Sequence, residues 1–425
     1  MNQEHCDRAG WESVCGQETR RASEAANKSE RRSMTRRTFV GWAACLAVGV
    51  GAGAVVAGCS AGAPSSDEGG DGDGGQAGVR TIEDMGGRTV SVPFRLDRLF
   101  CTNPIGTADL FMLASEKLIG WSQRPSGEDA KYIPDEYLAL PSLGVWRGSG
   151  SVPNVEEIAA QNPEVLLCFW TADDVGRSMA EKINGDTGLP VVLVDYSIRQ
   201  TPQAFRFVGD LIGSAERAEE LAKYCEDRLA LIERVVQTIP ESELKSVYLA
   251  QGSDGLETDP VGSMHVTDAL ELVRTGNVAD MPGTKGKGMG MPTANLEQII
   301  EWDPAAVLVS EHGTDVAEGS SVFSAIKSDP HWANVPCVEA GEVYRIPQSP
   351  FSWFGRPPSA ARLLGCLWLL KVLYPRYASS INMRAETVDF YRTFYRYEGF
   401  EDTELDHVLG AAGVDDAADG KPAQK

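Results

Sequence analysis

The sequence predicts an α/β fold of two pseudo-symmetric lobes with mainly parallel sheets, joined by one long linker helix. The first observation is a phrase that occurs twice, NVEEIAAQNPEVLL from Asn154 and NLEQIIEWDPAAVLV from Asn295. Both copies end in an apolar, strand-forming run. Two copies are too few for a solenoid, whose stability needs at least three stacked units. They therefore favour two similar lobes over chance similarity, although helix–Pro–strand units are common in α/β proteins.

The segment 79–200 is predicted to form the N-terminal lobe. VRTIEDMGGRTVSVP contains two alternating runs around a Gly-Gly pair, which indicates a β-hairpin. RLDRLFCTN, EKLIGWS, EVLLCFW and GLPVVLVDY are predicted as the following strands. The last two are continuously apolar, which is typical of a parallel sheet that is covered on both faces.

The second observation is the helical period of residues 201–243. Apolar residues between Phe205 and Val236 recur at helical spacing, with an interruption at Gly213-Ser214, where Ser214 is a candidate N-cap. This pattern predicts a helix of about 25 residues between the two halves. Such a helix is a rigid connector.

The segment 244–378 repeats the plan of the first half as a C-terminal lobe. KSVYLAQG, AAVLVSE and GEVYRIP are its predicted strands. SAARLLGCLWLLKVLYP is predicted to be a buried helix, because it is too short to span a bilayer. Residues 379–411 are predicted as a helical tail, and residues 412–425 as disordered.

The first 58 residues are predicted to be a signal peptide of the twin-arginine type. Arg36 and Arg37 precede an apolar stretch rich in Ala, Gly and Val, which ends in VVAGCS. That ending resembles a lipobox, so Cys59 is the predicted lipidated residue. The alternative is a transmembrane anchor, since about 20 apolar residues can cross a bilayer. Residues 59–78 are polar, acidic and glycine-rich, which predicts a flexible tether.

Composition excludes several kinds of function. The chain has 39 Lys and Arg against 61 Asp and Glu, a net charge of −22, which argues against nucleic-acid binding. A local arginine cluster can still bind an anion. The histidines show no HxxxH spacing and the cysteines no CxxC pair, so we expect no metal site and no obligatory disulfide framework, with a single bridge left open. No nucleophile-elbow or P-loop motif occurs, and we expect neither enzymatic activity nor a resident cofactor.

The order of these features resembles the substrate-binding proteins of ABC importers for iron chelates, haem and cobalamin. The resemblance covers roughly residues 80–400 and is carried by the repeated phrase, DMGGRTVSVP, GSMHVTDALELVRTGNVAD, the lipobox and the mid-chain helix. It implies two lobes with a ligand cleft between them. It further implies a monomeric, lipid-anchored protein outside the cytoplasm that hands a ferric siderophore, haem or corrinoid to an ABC permease dimer with its ATPase. Two alternatives remain open: an oxyanion ligand such as molybdate or tungstate, and an exported cofactor-dependent enzyme.

The resemblance also assigns a role to two glutamates of the repeated phrase. In the family, one glutamate on each lobe docks into an arginine pocket of the permease, which points to Glu156 and Glu297. Complementary charge sets orientation more than affinity. The alternative is that both are first-turn acids favoured by the helix dipole.

Candidate ligand residues lie in the loops that follow the strands, because ligands of open α/β sheets bind at the carboxyl ends. These loops contain Arg124, Trp146, Arg147, Trp170, His265, Trp353 and Arg356. Aromatic faces beside arginines suit a flat or bulky anionic chelate. Trp353 and Arg356 are the leading candidates, since WFGR resembles an aromatic–Arg stretch of the family's cleft. The alternatives are packing for each Trp, a solvated charge for each Arg and a capping role for His265.

Overall fold

The N-terminal lobe combines an antiparallel hairpin with a three-stranded parallel sheet. The computed structural model describes residues 78–125, 127–146, 153–263, 265–281, 291–311, 321–410 and 413–414. The strands of this lobe are β1 (Val79–Glu83), β2 (Thr89–Pro93), β3 (Leu99–Cys101), β4 (Val165–Trp170) and β5 (Val191–Asp195), and its helices are α1 (Pro104–Ala114), α2 (Asp135–Leu138), α3 (Val155–Ala160) and α4 (Asp174–Thr187). The hairpin pairs β1 with β2, and the parallel sheet has the order β3-β4-β5. All residues of β4 are buried, as its apolar sequence predicts.

The predicted linker at 201–243 is two helices, not one. They are α5 (Thr201–Ile212) and α6 (Ala215–Val236), followed by a 3-10 turn at Glu241–Glu243. Gly213 ends α5 with a left-handed φ of +76°, a conformation that favours glycine. Arg206 of α5 pairs with Glu219 and Glu226 of α6, so the two helices form a hairpin. Only α6 matches the predicted connector of about 25 residues. Ser214 stands at its N-cap position, but within the described chain its side chain caps no N–H group.

The C-terminal lobe contains the second parallel sheet, in the order β6-β7-β8. Its strands are β6 (Val247–Ala250), β7 (Ala306–Val309) and β8 (Val343–Arg345), and its helices are α7 (Thr267–Leu272), α8 (Leu296–Trp302), α9 (Val322–Ser328), α10 (Pro336–Glu339) and α11 (Arg362–Leu373). Every residue of α11 is buried, which places this helix in the core as predicted.

The repeated phrase forms the same unit in both lobes. Its first copy supplies α3 and β4, and its second copy supplies α8 and β7; each strand is the central one of its sheet. Asn154 and Asn295 are the N-caps of the two helices. Outside each sheet one further residue forms a single parallel bridge, Leu118 beside β3 and Asn277 beside β6. The predicted strand EKLIGWS is thereby reduced to a bridge, because a 3-10 turn occupies Ser115–Lys117. The predicted two-lobed α/β fold is confirmed.

The segment after α11 packs into the core instead of extending from it. It comprises α12 (Met383–Phe390), a π-helical turn at Tyr391–Tyr395 and α13 (Asp402–Gly410). Phe390 and Phe394 stack with ring centroids 4.3 Å apart, and Tyr224 of α6 lies edge-on against Phe394. Val414 is also buried. Residues 412 and 415–425 of the predicted disordered tail lie outside the described part of the chain, as do the predicted signal peptide and residues 59–77 of the predicted tether.

The described cysteines behave as small apolar residues. Cys101, Cys168, Cys225, Cys337 and Cys366 are all buried and all free thiols. No bridge therefore forms among the five described cysteines. Burial raises the pKa of Cys337 to about 11, and likewise keeps the other buried thiols protonated at neutral pH.

No helix within the described ranges combines the length and apolar character that a bilayer span requires.

Candidate ligand-binding site

The two lobes meet where the carboxyl ends of their parallel strands lie. Tyr196 follows β5, and its carbonyl accepts a hydrogen bond from Arg362 of the C-terminal lobe. The N–H of Ile198 donates to Asp268 Oδ2 at 2.8 Å. These contacts hold the strand-end loops of both lobes around a common region. Such a region is the usual ligand site of open α/β sheets.

A buried ion pair forms the polar centre of the C-terminal side of this region. Asp259 is 1 % exposed, and its carboxylate receives Arg356 Nε at 2.9 Å and Arg356 Nη2 at 2.5 Å. Ser263 Oγ donates to the same carboxylate at 2.8 Å, and Gln251 Nε2 at 3.1 Å. Two donors therefore satisfy each carboxylate oxygen, which makes burial of the charge tolerable.

The protonation state of Asp259 follows from these contacts. Burial by itself raises the pKa of a carboxyl group. The hydrogen bonds and positive charge of Arg356 outweigh that effect, so the pKa of Asp259 lies below its ordinary value. Asp259 is therefore ionised at neutral pH, and the pair with Arg356 carries no net charge.

Arg356 presents one free edge of its guanidinium group. Its side chain is 23 % exposed, and both contacts with Asp259 use the edge formed by Nε and Nη2. A guanidinium has five N–H donors in a planar fork, so the edge formed by Nη1 and Nη2 remains. Within the described residues no hydrogen bond from Nη1 is present. The backbone of Arg356 has φ of +33°, which is strained for any residue except glycine and is typical of ligand sites.

His265 lies beside this pair with an unused ring nitrogen. Its Nδ1 is buried and has no hydrogen-bond partner among the described residues. Burial, assisted by the positive charge of Arg356, lowers the pKa of His265 to about 4, although Asp259 opposes the shift. The imidazole is therefore neutral at pH 7, and Nδ1 can donate or accept.

A hydrogen bond and a close approach of two segments bring His265 and Arg356 together. The N–H of His265 donates to Ser263 Oγ at 3.2 Å, so Ser263 contacts both His265 and Asp259. A Cβ on Gly355 would lie 2.8 Å from Val266 Cγ1, which shows that the loop of Arg356 passes directly over the segment of His265. Glycine is required there by this close approach.

Arg362 joins the two lobes at the base of this region. It is 1 % exposed, and its Nη1 lies 2.8 and 2.9 Å from the two carboxylate oxygens of Asp268. Its guanidinium also lies over the ring of Tyr196, 5.5 Å from the centroid. Arg362 thus connects α11, α7 and the end of β5, and it is a structural residue and not a ligand candidate.

Trp353, one of the two leading candidates, is a core residue. It is 0 % exposed, and its Nε1 lies 3.4 Å from Tyr391 Oη. The reason is the path of its loop: Phe351 packs on Phe111 of α1 and on Trp121, with ring centroids 6.2 and 6.4 Å apart. The loop is therefore folded onto the N-terminal lobe, and the Trp353 ring presents no face to a ligand in this structure.

The tryptophans of the N-terminal lobe are also buried. Trp146 is 3 % exposed and packs 6.5 Å from Phe100 between ring centroids. Trp170, the last residue of β4, is 8 % exposed. The expected aromatic wall for a flat chelate is thus absent from the described surface, because packing takes up these rings.

The remaining candidates are divided between the surface and the undescribed segments. Arg124 is exposed, and its Nη2 donates to the carbonyl of Leu140 at 2.6 Å. Among the described residues no hydrogen bond or ion pair joins it to Arg356 or His265. Arg147 and the lipidation candidate Cys59 lie outside the described residues.

Glu156 and Glu297 occupy matching places in the two lobes. Each stands in the first turn of the helix from the repeated phrase, and each is exposed. Their helices precede the central strands of the two sheets. The arrangement agrees with a docking pair and with first-turn acids alike.

The side chains that could ligate a metal ion are scattered among the described residues. No group of three described His, Cys, Asp or Glu side chains is arranged to hold a metal ion.

Asp259 was not singled out in the sequence, although its loop was. From the loop of residues 252–265, the sequence predicts only His265 as a ligand residue. An acidic residue in a polar loop is usually solvated. Only the fold brings Asp259 to Arg356, 97 positions away.

Comparisons with known proteins agree with the fold. A family model described as periplasmic binding protein matches residues 101–350. The molybdate-binding protein MolA of Haemophilus influenzae is 22% identical over 346 residues, which cover 75% of this chain and 91% of that protein. An ABC transporter solute-binding protein of Sulfurospirillum deleyianum has 27% identity and a TM-score of 0.69, covering 78% of this chain and 99% of its own. The structure of MolA with bound molybdate has 20% identity and a TM-score of 0.60, covering 76% and 100%.

Proposed function

The chain belongs to the periplasmic binding protein family, and we propose that it captures a small oxyanion between its lobes for delivery to an ABC importer. Membership in the family supports the coarser role, the substrate-binding component of an ABC transporter. The relatives are transport proteins and not enzymes, so the enzyme alternative is not pursued. The ligand class is the new element of the proposal.

The oxyanion is proposed because Arg356 and His265 each have a polar group with no described partner. Arg356 offers a planar pair of N–H groups, which matches two oxygens of a tetrahedral anion. His265 adds the buried Nδ1 beside it. Molybdate and tungstate present such oxygens at small size. The similarity to a molybdate-binding protein over most of the chain supports the same choice.

A metal chelate is the second candidate. Its support is the original resemblance and the position of Trp170, which ends β4 at the strand edge where ligands bind. The burial of Trp146, Trp170 and Trp353 weighs against it, because a flat chelate would stack on exposed rings. We therefore place the oxyanion first.

A calorimetric titration of the full-length chain distinguishes the two ligands. We expect saturable one-to-one binding of sodium molybdate, and none of haem, cobalamin or a ferric siderophore. Arg356→Ala removes charge-assisted hydrogen bonds and should weaken binding about ten- to hundred-fold. Arg124→Ala is the matched control, since this exposed arginine of the N-terminal lobe donates to the carbonyl of Leu140, and its removal should leave molybdate binding unchanged. Binding of a chelate without binding of any oxyanion would reverse the order of the candidates.

Export and anchoring are part of the proposal. Family members act outside the cytoplasm, and we place this chain on the outer face of the cell membrane through a lipid on Cys59. The twin arginines and the lipobox support that placement. A Cys59→Ser chain should lose incorporation of labelled fatty acid and leave the membrane fraction. Retention of both would exclude Cys59 as the anchor.

We further propose that Glu156 and Glu297 contact the two permease subunits. Their exposure and their matching positions in the repeated phrase support this role. The two-fold arrangement of the lobes would then meet a two-fold arrangement of the permease, with charge complementarity setting the orientation.

A further inference from the structure

The ion pair at the candidate site contains a residue whose role is not binding itself. Asp259 places a negative charge beside a site proposed for an anion, which on Coulomb grounds weakens the binding of any anion. A buried carboxylate with four donors is nevertheless a costly feature to build. Its geometry suggests what it contributes.

We infer that Asp259 is a positioning residue: it orients Arg356 for a two-oxygen contact with the anion and favours proton uptake at His265 upon binding. The inference rests on the proposed oxyanion function and adds the residue that organises the site. Asp259 acts through Arg356 and His265 and does not touch the ligand.

Asp259 orients the guanidinium group of Arg356. Asp259 holds the Nε and Nη2 edge, at 2.9 and 2.5 Å, so the plane and direction of the guanidinium are determined before a ligand arrives. The second edge, with Nη1, remains for two oxygens of one anion. A free arginine side chain loses conformational entropy when it is ordered. Because Asp259 has already imposed that order, less of the binding free energy is lost.

Hydrogen bonds from other residues of the C-terminal lobe hold Asp259 in place. Gln251 anchors one carboxylate oxygen from the end of β6, and Ser263 anchors the other. Asn277 donates to the Asp259 carbonyl and, at 3.0 Å, to Thr258 Oγ1. The carboxylate is therefore a rigid support for a side chain that is 23 % exposed.

The charges around His265 favour its protonation when an anion binds. The charged groups that face His265 are Asp259, Arg356 and Arg362. Asp268 neutralises Arg362, and Asp259 neutralises Arg356. An arriving anion adds negative charge near a neutral imidazole whose Nδ1 has no described partner, and this favours the imidazolium form. The charge of Asp259 acts in the same direction, so binding should consume protons.

A double-mutant cycle tests whether Asp259 acts through Arg356. The probe is sodium molybdate, and the protein is the full-length chain. We expect Asp259→Asn and Arg356→Lys each to weaken binding at least about tenfold, and the double variant to bind within about twofold of Arg356→Lys alone. Lysine keeps the positive charge but lacks the fork, so the cycle isolates orientation from charge.

The pH profile supplies a readout that general loss of structure would not produce. In the wild-type chain, affinity for molybdate should rise as the pH falls from about 7 to about 5. That rise should vanish in His265→Gln and move to lower pH in Asp259→Asn. Calorimetry in two buffers of different ionisation enthalpy then counts the protons taken up.

Ser263→Ala is the milder variant if Asp259→Asn does not fold. It removes one donor to the carboxylate and should weaken binding in the wild-type background, but not in Arg356→Lys. Unchanged or tighter binding in both Asp259 and Ser263 variants overturns the inference, since repulsion would then dominate orientation. Additive losses in the cycle overturn it as well. A wild-type chain that binds no molybdate overturns the proposed ligand, and the positioning role falls with it.

Discussion

Asp109 in the N-terminal lobe accepts a hydrogen bond from the backbone N–H of Ala360 in the C-terminal lobe, at 2.9 Å and 251 positions away in sequence. Ala360 lies two residues before α11, in the turn that leads into that helix. The Asp109 side chain therefore joins the N-terminal lobe to the segment that precedes α11. It also borders a small cavity together with Phe169, Thr201 and Phe205.

The first prediction concerns the pH dependence of stability at Asp109. Burial raises the pKa of Asp109 from its ordinary value of 3.8 to about 7, although the Ala360 N–H and Arg362 oppose the shift. The folded state thus holds a proton that the unfolded state releases. This favourable contribution is complete below pH 4 and disappears as the pH rises through 7, by up to about 4 kcal/mol. Asp109→Asn keeps the acceptor for Ala360 but carries no charge.

Urea unfolding at pH 5 and pH 8 measures this difference. The free energy of unfolding of the Asp109→Asn chain should exceed that of the wild type by about 1.5 kcal/mol at pH 5 and by about 4 kcal/mol at pH 8. Two parallel stability curves would mean that the carboxyl group is already ionised at pH 5.

The second prediction compares two helical glycines. A Cβ on Gly365 of α11 would lie 1.7 Å from the carbonyl oxygen of Trp353, so Gly365→Ala should lower the free energy of unfolding by at least about 2 kcal/mol. A Cβ on Gly185 of α4 meets no described atom within 4 Å. Gly185→Ala should therefore raise stability by about 0.5–1 kcal/mol, because alanine favours the helix. Equal effects in thermal unfolding would contradict the close approach of α11 to the Trp353 loop.

The third prediction tests the two helix caps of the repeated phrase. Asn295 forms a capping box with Gln298, with bonds of 2.8 and 3.0 Å, and Asn154 accepts from the N–H of Glu156 at 3.1 Å. Asn→Ala at either position should lower stability by about 1 kcal/mol. Ser214→Ala is the control: its hydroxyl caps no described N–H group, so its effect should stay within a few tenths of a kcal/mol. A large effect at Ser214 would show a cap that this conformation lacks.

The fourth prediction separates docking from ligand binding. Charge reversal at Glu156 or Glu297 should leave the affinity for ligand unchanged but lower ligand-stimulated ATP hydrolysis by the reconstituted importer about tenfold, and the double reversal should nearly abolish it. Glu216→Lys is a matched control, because Glu216 is an exposed first-turn acid of α6 outside the repeated phrase. If all three reversals act alike, net charge and not docking is responsible.

The architecture could be predicted from the sequence alone. The repeated phrase identified the central helix–strand unit of both lobes, since a helix cap and an apolar strand are local properties that need no distant partner. Gly213-Ser214 marked the boundary between α5 and α6, although the predicted linker joined them. The sequence also placed α11 in the core, because its apolar residues leave no polar face. The loops after the strands could also be predicted, because strand ends follow from local patterns. Arg356 and His265 lie in these loops.

Which of these residues form a site depends on contacts that exist only in the folded chain. Trp353 and Arg356 are three positions apart, yet one is buried against Tyr391 and the other presents a free guanidinium edge. The difference depends on how Phe351 packs on the N-terminal lobe, which no local pattern encodes. Asp259 and Asp109 remained hidden for a related reason. The role of each carboxylate follows from a partner that is 97 or 251 positions away in the sequence, and only the folded chain brings the two together.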